Sequence, residues 1–388
     1  MTHTPDFDAI EIEQLRTVGS VKWSTYPEAL GAFIAEMDFP AAPVITEALH
    51  EAVDIGLFGY LPEALEDRLS RAYADWSGAV YGWDVPPERV RPMADVIAGL
   101  QAAIEHFSRP GSPVILPTPA YMPFLTVPPA MGREVIQVPM AKDGDRYVYD
   151  LEALDAAFQA GGHLLILCNP HNPIGRVLER EEMAEIAEVV DRHGGRVFSD
   201  EIHAPLVLGE HRHVPYASTS KVAAGHTVTA ASASKAWNLP GMKCAQLILS
   251  NEADAATWAR VGHSYEHGAA NLGVIANIAA FTRGRPWLED VLAYLDGNRR
   301  LLRELLAEHL PEVGYTPPEG TYLAWLDLRE LDLGDRPAQV LRTRAGVAVT
   351  EGTACGEVGA GFVRLNFATS RPILTQMVTQ IAGVVGSR

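Results

Sequence analysis

Lys235 stands in Ser232-Ala233-Ser234-Lys235-Ala236-Trp237-Asn238, directly after a strand-like run of small residues at 226–231. A lysine amine is nucleophilic only when neutral, so a reactive one must be partly desolvated and held by its neighbours. The small flanking residues leave room for a bulky carbonyl group with which such an amine can form an imine. A solvated surface lysine has the same local look, so the argument has to come from residues elsewhere in the chain. Asp200 ends the apolar run 196–199, and Asn172 and His203 fall in Asn169-Pro170-His171-Asn172 and Asp200-Glu201-Ile202-His203. A carboxylate facing a protonated ring nitrogen keeps both groups charged, and an amide with an imidazole can hold a phenolic oxygen. Each also has a plainer reading, a cap for Asp200 and a structural histidine for His203.

The ring that asks for this set is pyridoxal 5'-phosphate (PLP), an aldehyde that acts as an electron sink while its nitrogen stays protonated. Tyr121, in Pro117-Thr118-Pro119-Ala120-Tyr121, is placed to stack on the ring face or to pack a loop. The phosphate needs donors, which helix N-termini supply. The helix beginning near Asp95 and Val96 offers backbone N–H groups, although Asp95 must then turn its carboxylate aside or serve as a cap. Ser232, Ser234 and Lys243 add hydroxyls and a charge. Arg364, in a C-terminal strand, can grip a substrate carboxylate bidentately or form a structural ion pair. A competing constellation is His203, His211 and His213 beside Asp200 and Glu201, which are zinc-ligand types at a spacing that matches no zinc motif.

The elements that must position these groups alternate between short apolar runs and helical stripes, the pattern of an α/β sheet covered by helices. Helices are expected at 43–56, 62–78, 95–107, 151–160, 179–193 and 287–310. Strands are expected at 114–117, 134–138, 163–168, 196–199, 227–230 and 245–249, followed by strands near 321–327, 346–350 and 362–367 and a terminal helix. In open sheets of this kind ligands gather beyond the carboxyl ends of the strands. The motifs around Asn172, Asp200 and Lys235 all fall there. Residues 33–40 read as an extended arm that drapes over a neighbouring unit.

With 388 residues, 47% of them apolar, the chain can bury a large core in two globular units. A net charge of -18 and the lack of any basic run exclude nucleic acid as a partner. No apolar run reaches membrane-spanning length, so no membrane association is expected. The N-terminus lacks a basic stretch followed by an apolar one, and the three scattered cysteines fit reduced thiols, so the expected location is cytoplasmic.

Together these residues resemble the fold type I PLP-dependent enzymes of the class I/II aminotransferase superfamily, over nearly the whole chain. The branch they look most like is that of bacterial cystathionine β-lyases, or cysteine-S-conjugate β-lyases. The markers are Ala35-Glu36-Met37-Asp38-Phe39, Phe58-Gly59-Tyr60, the stretch 119–124, Cys168-Asn169-Pro170-His171-Asn172-Pro173, Ser199-Asp200-Glu201-Ile202-His203, Ser232 to Lys235 with Asn238, the stretch 322–327 and Arg364-Leu365-Asn366. The resemblance implies a large PLP-binding domain with a mostly parallel seven-stranded sheet at 43–285. It implies a smaller α+β domain at 286–388 that shares the arm, residues 1–42.

It further implies that Lys235 carries the cofactor as a Schiff base, Asp200 meets the ring nitrogen, Asn172 and His203 hold the phenolic oxygen, and Tyr121 stacks. Ser232 and Lys243 bind phosphate, Arg364 binds the substrate carboxylate, and Tyr60 reaches the phosphate from a partner subunit, which makes the active unit a homodimer. The implied reaction is α,β-elimination on a cysteine thioether. An aminotransferase on the same scaffold is the alternative, and a non-catalytic binding protein is the reading from another class. Pocket shape near Tyr60, Trp237 and Cys355 is expected to choose among substrates. Relatives often carry an aromatic residue where Cys355 follows Glu351-Gly352, and a glycine-containing turn where this chain has Met93-Ala94-Asp95.

Overall fold

The computed structural model describes residues 6–385. Seven strands form the main sheet: β1 Val90–Met93, β2 Val114–Thr118, β3 Val135–Pro139, β4 Leu164–Cys168, β5 Arg196–Asp200, β6 Thr227–Ala231 and β7 Ala245–Leu249. Their order across the sheet is β1-β7-β6-β5-β4-β2-β3. Strands β2 to β6 run parallel to their neighbours, while β7 is antiparallel to both β6 and β1. Strands β2, β4, β6 and β7 are buried at every position. That is why they read as unbroken apolar runs and not as alternating ones, since helices cover both faces. The expected α/β architecture with a mostly parallel seven-stranded sheet is what the chain forms.

The helices that cover it follow their apolar stripes. Helix α1 (Pro43–Asp54) opens on a proline at its first position, and α2 (Glu63–Tyr81) buries Leu65, Leu69, Tyr73 and Trp76. The sequence reading ended α2 at Gly78, but the helix continues through it and stops at Gly82, whose φ of 66° suits a left-handed cap. Helix α3 (Val96–His106) is capped by Asp95, whose side chain accepts from the Ala98 N–H at 2.8 Å. Several helices escaped the sequence reading, among them Glu252–Val261 and two whose sequences explain why. Helix α4 (Met122–Ala130) holds two internal prolines, and α7 (Asn271–Arg283) is apolar nearly all round because it is buried, so it shows no stripe. Helices α5 (Leu151–Gln159), α6 (Arg180–Arg192), α8 (Arg285–His309) and α9 (Arg371–Val385) lie close to where periodicity put them.

A second, antiparallel sheet is built from β8 Gly314–Tyr315, β9 Leu323–Asp327, β10 Thr350–Glu351 and β11 Phe362–Asn366, in the order β8-β9-β11-β10. The segment before α1 folds back onto this part of the same chain. Leu30–Gly31 pairs in parallel with Val347–Ala348. A Cβ on Gly31 would sit 2.1 Å from the Lys22 carbonyl oxygen, so only glycine allows that approach. Trp23 and Phe39 join the main hydrophobic cluster, and Lys22 forms a buried ion pair with Asp38 at 2.9 Å. The arm is thus an integral layer of this chain's own fold, and it includes short helices at Ile12–Val18 and Val21–Ser24.

Candidate active site

Register explains why residues far apart in sequence meet. Cys168 lies beside Asp200, and Asp200 beside Ala230, so the loops leaving β4, β5 and β6 emerge side by side. Those loops carry Asn172, His203 and Lys235. Antiparallel β7 begins at the same edge, with Ala245 opposite Met93. That places Lys243, just before β7, against Asp95, just after β1, and their charged ends are 2.9 Å apart.

A cavity of about 990 Å³ opens at this edge, lined by Asp95, Val96, Tyr121, Asn172, Asp200, His203, Lys235, Lys243 and Arg364. Nine of the expected site residues are therefore brought together. Two are not. Ser232 donates its hydroxyl to the Cys244 carbonyl at 2.7 Å and accepts from the Ser234 N–H at 3.0 Å, so it braces the loop, and Ser234 faces the cavity instead. Tyr60 is 93% exposed on the loop after α1, outside this cavity. Trp237 and Cys355, expected to shape the pocket, are core residues. Trp237 is fully buried against Trp76 and Phe281 and donates to the Gly284 carbonyl at 2.9 Å, because its indole N–H needs a partner once desolvated. Cys355 packs with Trp325 and Phe362.

Lys235 donates to the Ala35 carbonyl at 2.8 Å. The residue is half-buried, and the protein around its amine desolvates it. Burial, and next the Arg364 guanidinium, lower its pKa to about 8, while Glu36 and Asp200 pull the other way. Asp200 is buried, and the Ile202 N–H donates to it at 3.0 Å. Burial, aided by neighbouring Glu201, raises its pKa to about 7 against the pull of that N–H and of Lys235. His203 is buried with an unpartnered Nδ1 and edge-on to Tyr322, and burial holds it neutral. Arg364, 2% exposed, donates to Asn172 Oδ1 at 3.0 Å, to the Phe33 carbonyl at 2.7 Å and to Thr350 Oγ1 at 3.2 Å, and its Nε is unpartnered.

Among the described residues the buried Arg364 therefore has hydrogen bonds but no carboxylate partner, and Asp200 is a buried acid whose nearby cation, Lys235, is the group expected to react. Buried charges without counterions are costly. A ligand that brings a cation to Asp200, an anion to the amides and charges near Val96 and Lys243, and a carboxylate to Arg364 relieves all of these at once. PLP with an amino acid has those features, and the unpartnered His203 nitrogen adds a site for its ring oxygen. The residues fit the group.

What the sequence reading missed is the wall formed by residues 33–36. Asn366 Nδ2 donates to the carbonyls of Ile34 and Glu36 at 2.7 and 2.6 Å, and Tyr322 to that of Ala35 at 2.9 Å. Asn238 accepts from the Met37 N–H at 2.9 Å and donates to the carbonyls of Met37 and Phe39 at 2.9 and 3.0 Å. The lysine loop and the β11 strand thus clamp one extended segment, and Glu36 lines the cavity with one buried oxygen unpartnered. The only available signal was Glu36's place in the quoted Ala35–Phe39 motif.

The zinc reading does not survive. His213 pairs with Glu201 at 2.9 Å in the core, His211 is exposed, and His203 faces the cavity. Among the described residues no group of three or more His, Cys, Asp or Glu side chains could hold a metal ion. Nor is any described helix long and apolar enough to cross a membrane.

The sheet order and this cavity define an α/β enzyme scaffold with a lysine at its catalytic edge. The chain belongs to the aminotransferase class I and II family, whose model matches residues 34–381. It is 38% identical to the cystathionine β-lyase of Corynebacterium glutamicum, over 97% of this chain and 99% of that one. It superposes with a TM-score of 0.92 and 38% identity on a Corynebacterium diphtheriae structure provisionally described as a PLP-dependent β-cystathionase, covering 97% of this chain and 98% of that one. A PLP-bound C-S lyase from Staphylococcus hominis superposes with a TM-score of 0.90 at 26% identity, covering 98% of this chain and 99% of that one.

Proposed function

We propose that this chain is a PLP-dependent carbon-sulfur β-lyase acting on cystathionine or related cysteine S-conjugates, giving a thiol, pyruvate and ammonia. The observation that carries the reading is the meeting, in one cavity, of the desolvated Lys235, the buried Asp200 and the Arg364 guanidinium, which has no carboxylate partner among the described residues. The chain in which they meet is 38% identical end to end to a cystathionine β-lyase. When bound, PLP supplies an electron sink for the pair left at the substrate Cα.

The chain's own residues do the rest. Lys235 fastens the cofactor, and as a free amine takes the Cα proton, a task suited to a base with a pKa of about 8. Asp200 would hold the cofactor's ring nitrogen, and Asn172 and His203 its ring oxygen. Tyr121 would pack against the ring. The first amides of α3 at Val96, with Asp95 as its cap, would hold the phosphate together with Lys243 and Ser234. Arg364 holds the substrate carboxylate, so that the Cα–H bond is presented to Lys235. When the Cβ–S bond breaks, its electron pair leaves with sulfur, and the thiolate takes up a proton. The released aminoacrylate then hydrolyses to pyruvate and ammonia.

The active unit is a homodimer in which Tyr60 reaches the partner's phosphate site. Its 93% exposure, beside the exposed Ile55 and Phe58, supports this. The working division of the chain is 1–42, 43–285 and 286–388, and its location is cytoplasmic. The family match favours one second reading, transamination between an amino acid and a 2-oxo acid. Pyruvate and thiol release from cystathionine, measured with and without a 2-oxo acid, separates the two. A Lys235→Ala variant that stays folded is expected to release neither product, and pyruvate formation by that variant refutes the assignment of Lys235.

A further inference from the structure

Three of the charged groups lining the cavity have reaction roles in the proposed function, and others are held by neighbours. Asp95 and Lys243 pair with each other. The charged form of Glu351 is favoured by the backbone N–H groups of Ala338, Gln339 and Gly352 and, from beyond ion-pair distance, by Arg336, while its buried Oε1 has no direct hydrogen-bond partner. Two cations on the same wall are left over. Arg336, just before the short helix Pro337–Val340, is exposed and, among the described residues, donates to Gln339 Oε1, at 3.3 Å. Arg342, half-buried in the next turn, lies over the Tyr26 ring at 4.3 Å.

Neither arginine forms an ion pair among the described residues, in a chain with 49 acidic side chains for 31 basic ones. Where acids are in such excess, two guanidinium groups that face the catalytic cavity with no carboxylate in direct contact, Glu351 acting on Arg336 only from beyond ion-pair distance, call for an anion from outside. The wall they stand on is continuous with the substrate site. Tyr26 meets Phe33 edge-on with ring centroids 5.3 Å apart, and the Phe33 carbonyl accepts from Arg364. The cavity's 990 Å³ is at the top of the ~300–1,000 Å³ that holds a whole drug-sized ligand, which leaves space beyond the cofactor for a substrate with two charged ends.

We propose that Arg336 and Arg342 bind an anionic group on the sulfur-bearing arm of the substrate, most simply the carboxylate of a leaving thiol that is itself an acid or amino acid. This rests on the β-lyase reading and narrows it. The preferred substrates are cysteine thioethers whose leaving thiol is anionic, and neutral S-alkyl cysteines of equal length are poorer. Guanidinium suits this task because its planar fork matches a carboxylate.

The test compares an S-carboxyalkyl cysteine with the neutral S-alkyl cysteine of matching length, on cofactor-loaded wild type, Arg336→Gln, Arg342→Gln and the double variant. The expected result is a fall of about ten- to hundredfold in kcat/KM for the anionic conjugate, carried by KM, with a much smaller change for the neutral one. The wild-type preference should also shrink as ionic strength rises, because these charges sit near solvent. Equal losses on both conjugates, or an undiminished preference in the double variant, overturn the proposal. Arg336→Gln alone keeps the test valid if Arg342→Gln fails to fold, since Arg336 is exposed. A calorimetric arm uses an amino dicarboxylate with carbon in place of sulfur. If wild type releases no thiol from either conjugate, the lyase reading fails, while weaker binding of this probe by the variants still supports the anion site and equal binding refutes it.

Discussion

At neutral pH Lys235 should be the most reactive lysine amine in the cofactor-free chain. With a pKa lowered to about 8, chiefly by burial and then by Arg364, about a tenth of its amines are neutral at pH 7. An ordinary lysine near 10.4 has about one in 2,500 neutral, so the excess is about 200-fold. Because the neutral fraction governs attack on an acylating reagent, brief labelling at a series of pH values followed by peptide mass spectrometry reads the titration directly. Labelling at Lys235 should rise about tenfold per pH unit below 8 and level off above it, while exposed lysines keep rising past 10. The charges facing the amine are Arg364, which lowers its pKa, and Glu36 and Asp200, which raise it. Glu36→Gln should therefore move the midpoint below that of the wild type. A midpoint near 10 in the wild type, or an unchanged midpoint in Glu36→Gln, would falsify the account of a desolvated amine balanced between these groups.

Three further outcomes follow from the same geometry. Arg364→Lys keeps the charge but loses the fork that reaches Asn172 and Phe33, and should cost about 2–3 kcal/mol, or 30- to 150-fold in kcat/KM, in a steady-state pyruvate assay. For Asp200, the folded-state pKa of about 7 lies above the ordinary 3.8, so the folded chain holds a proton between those values that the unfolded chain has released. Stability contributed by this group is thus present below about pH 4 and is lost as pH rises through about 7. Cofactor-free Asp200→Asn should accordingly gain in Tm relative to wild type across that window, while losing affinity for PLP, and a Tm difference independent of pH would count against the assignment. For Tyr60, mixing inactive Lys235→Ala with Tyr60→Ala subunits should recover about a quarter of wild-type activity, because half the dimers are mixed and each has one complete site. No recovery in a mixture shown to contain mixed dimers would place Tyr60 in its own subunit's site.

Much of this was legible in the chain itself. Strands covered by helices on both faces are apolar nearly throughout, so β2, β4, β5, β6 and β7 were visible as runs, and polar motifs at the carboxyl ends of the parallel ones pointed to Lys235, Asp200, Asn172, His203 and Tyr121. Helices with one solvated face announced themselves by their stripes. Helix α7 did not, because burial on all sides erases the stripe, and α4 was hidden by its prolines.

Only the tertiary structure decided where side chains spend their hydrogen bonds and which distant segments share a wall. Ser232 and Ser234 have equal claims in sequence, but the Cys244 carbonyl takes the first hydroxyl and leaves the second to the cavity. Trp237 reads as a pocket residue beside the lysine, yet packing against Trp76 and Phe281 draws it into the core. Glu36, Arg336 and Arg342 share a cavity with Lys235 across separations of 199, 101 and 107 positions, and no local pattern encodes that meeting. Residue type and spacing determine strands, helices and candidate chemistry because those are short-range effects. The site's walls depend on register and on the folding back of the N-terminal segment, which are properties of the closed chain.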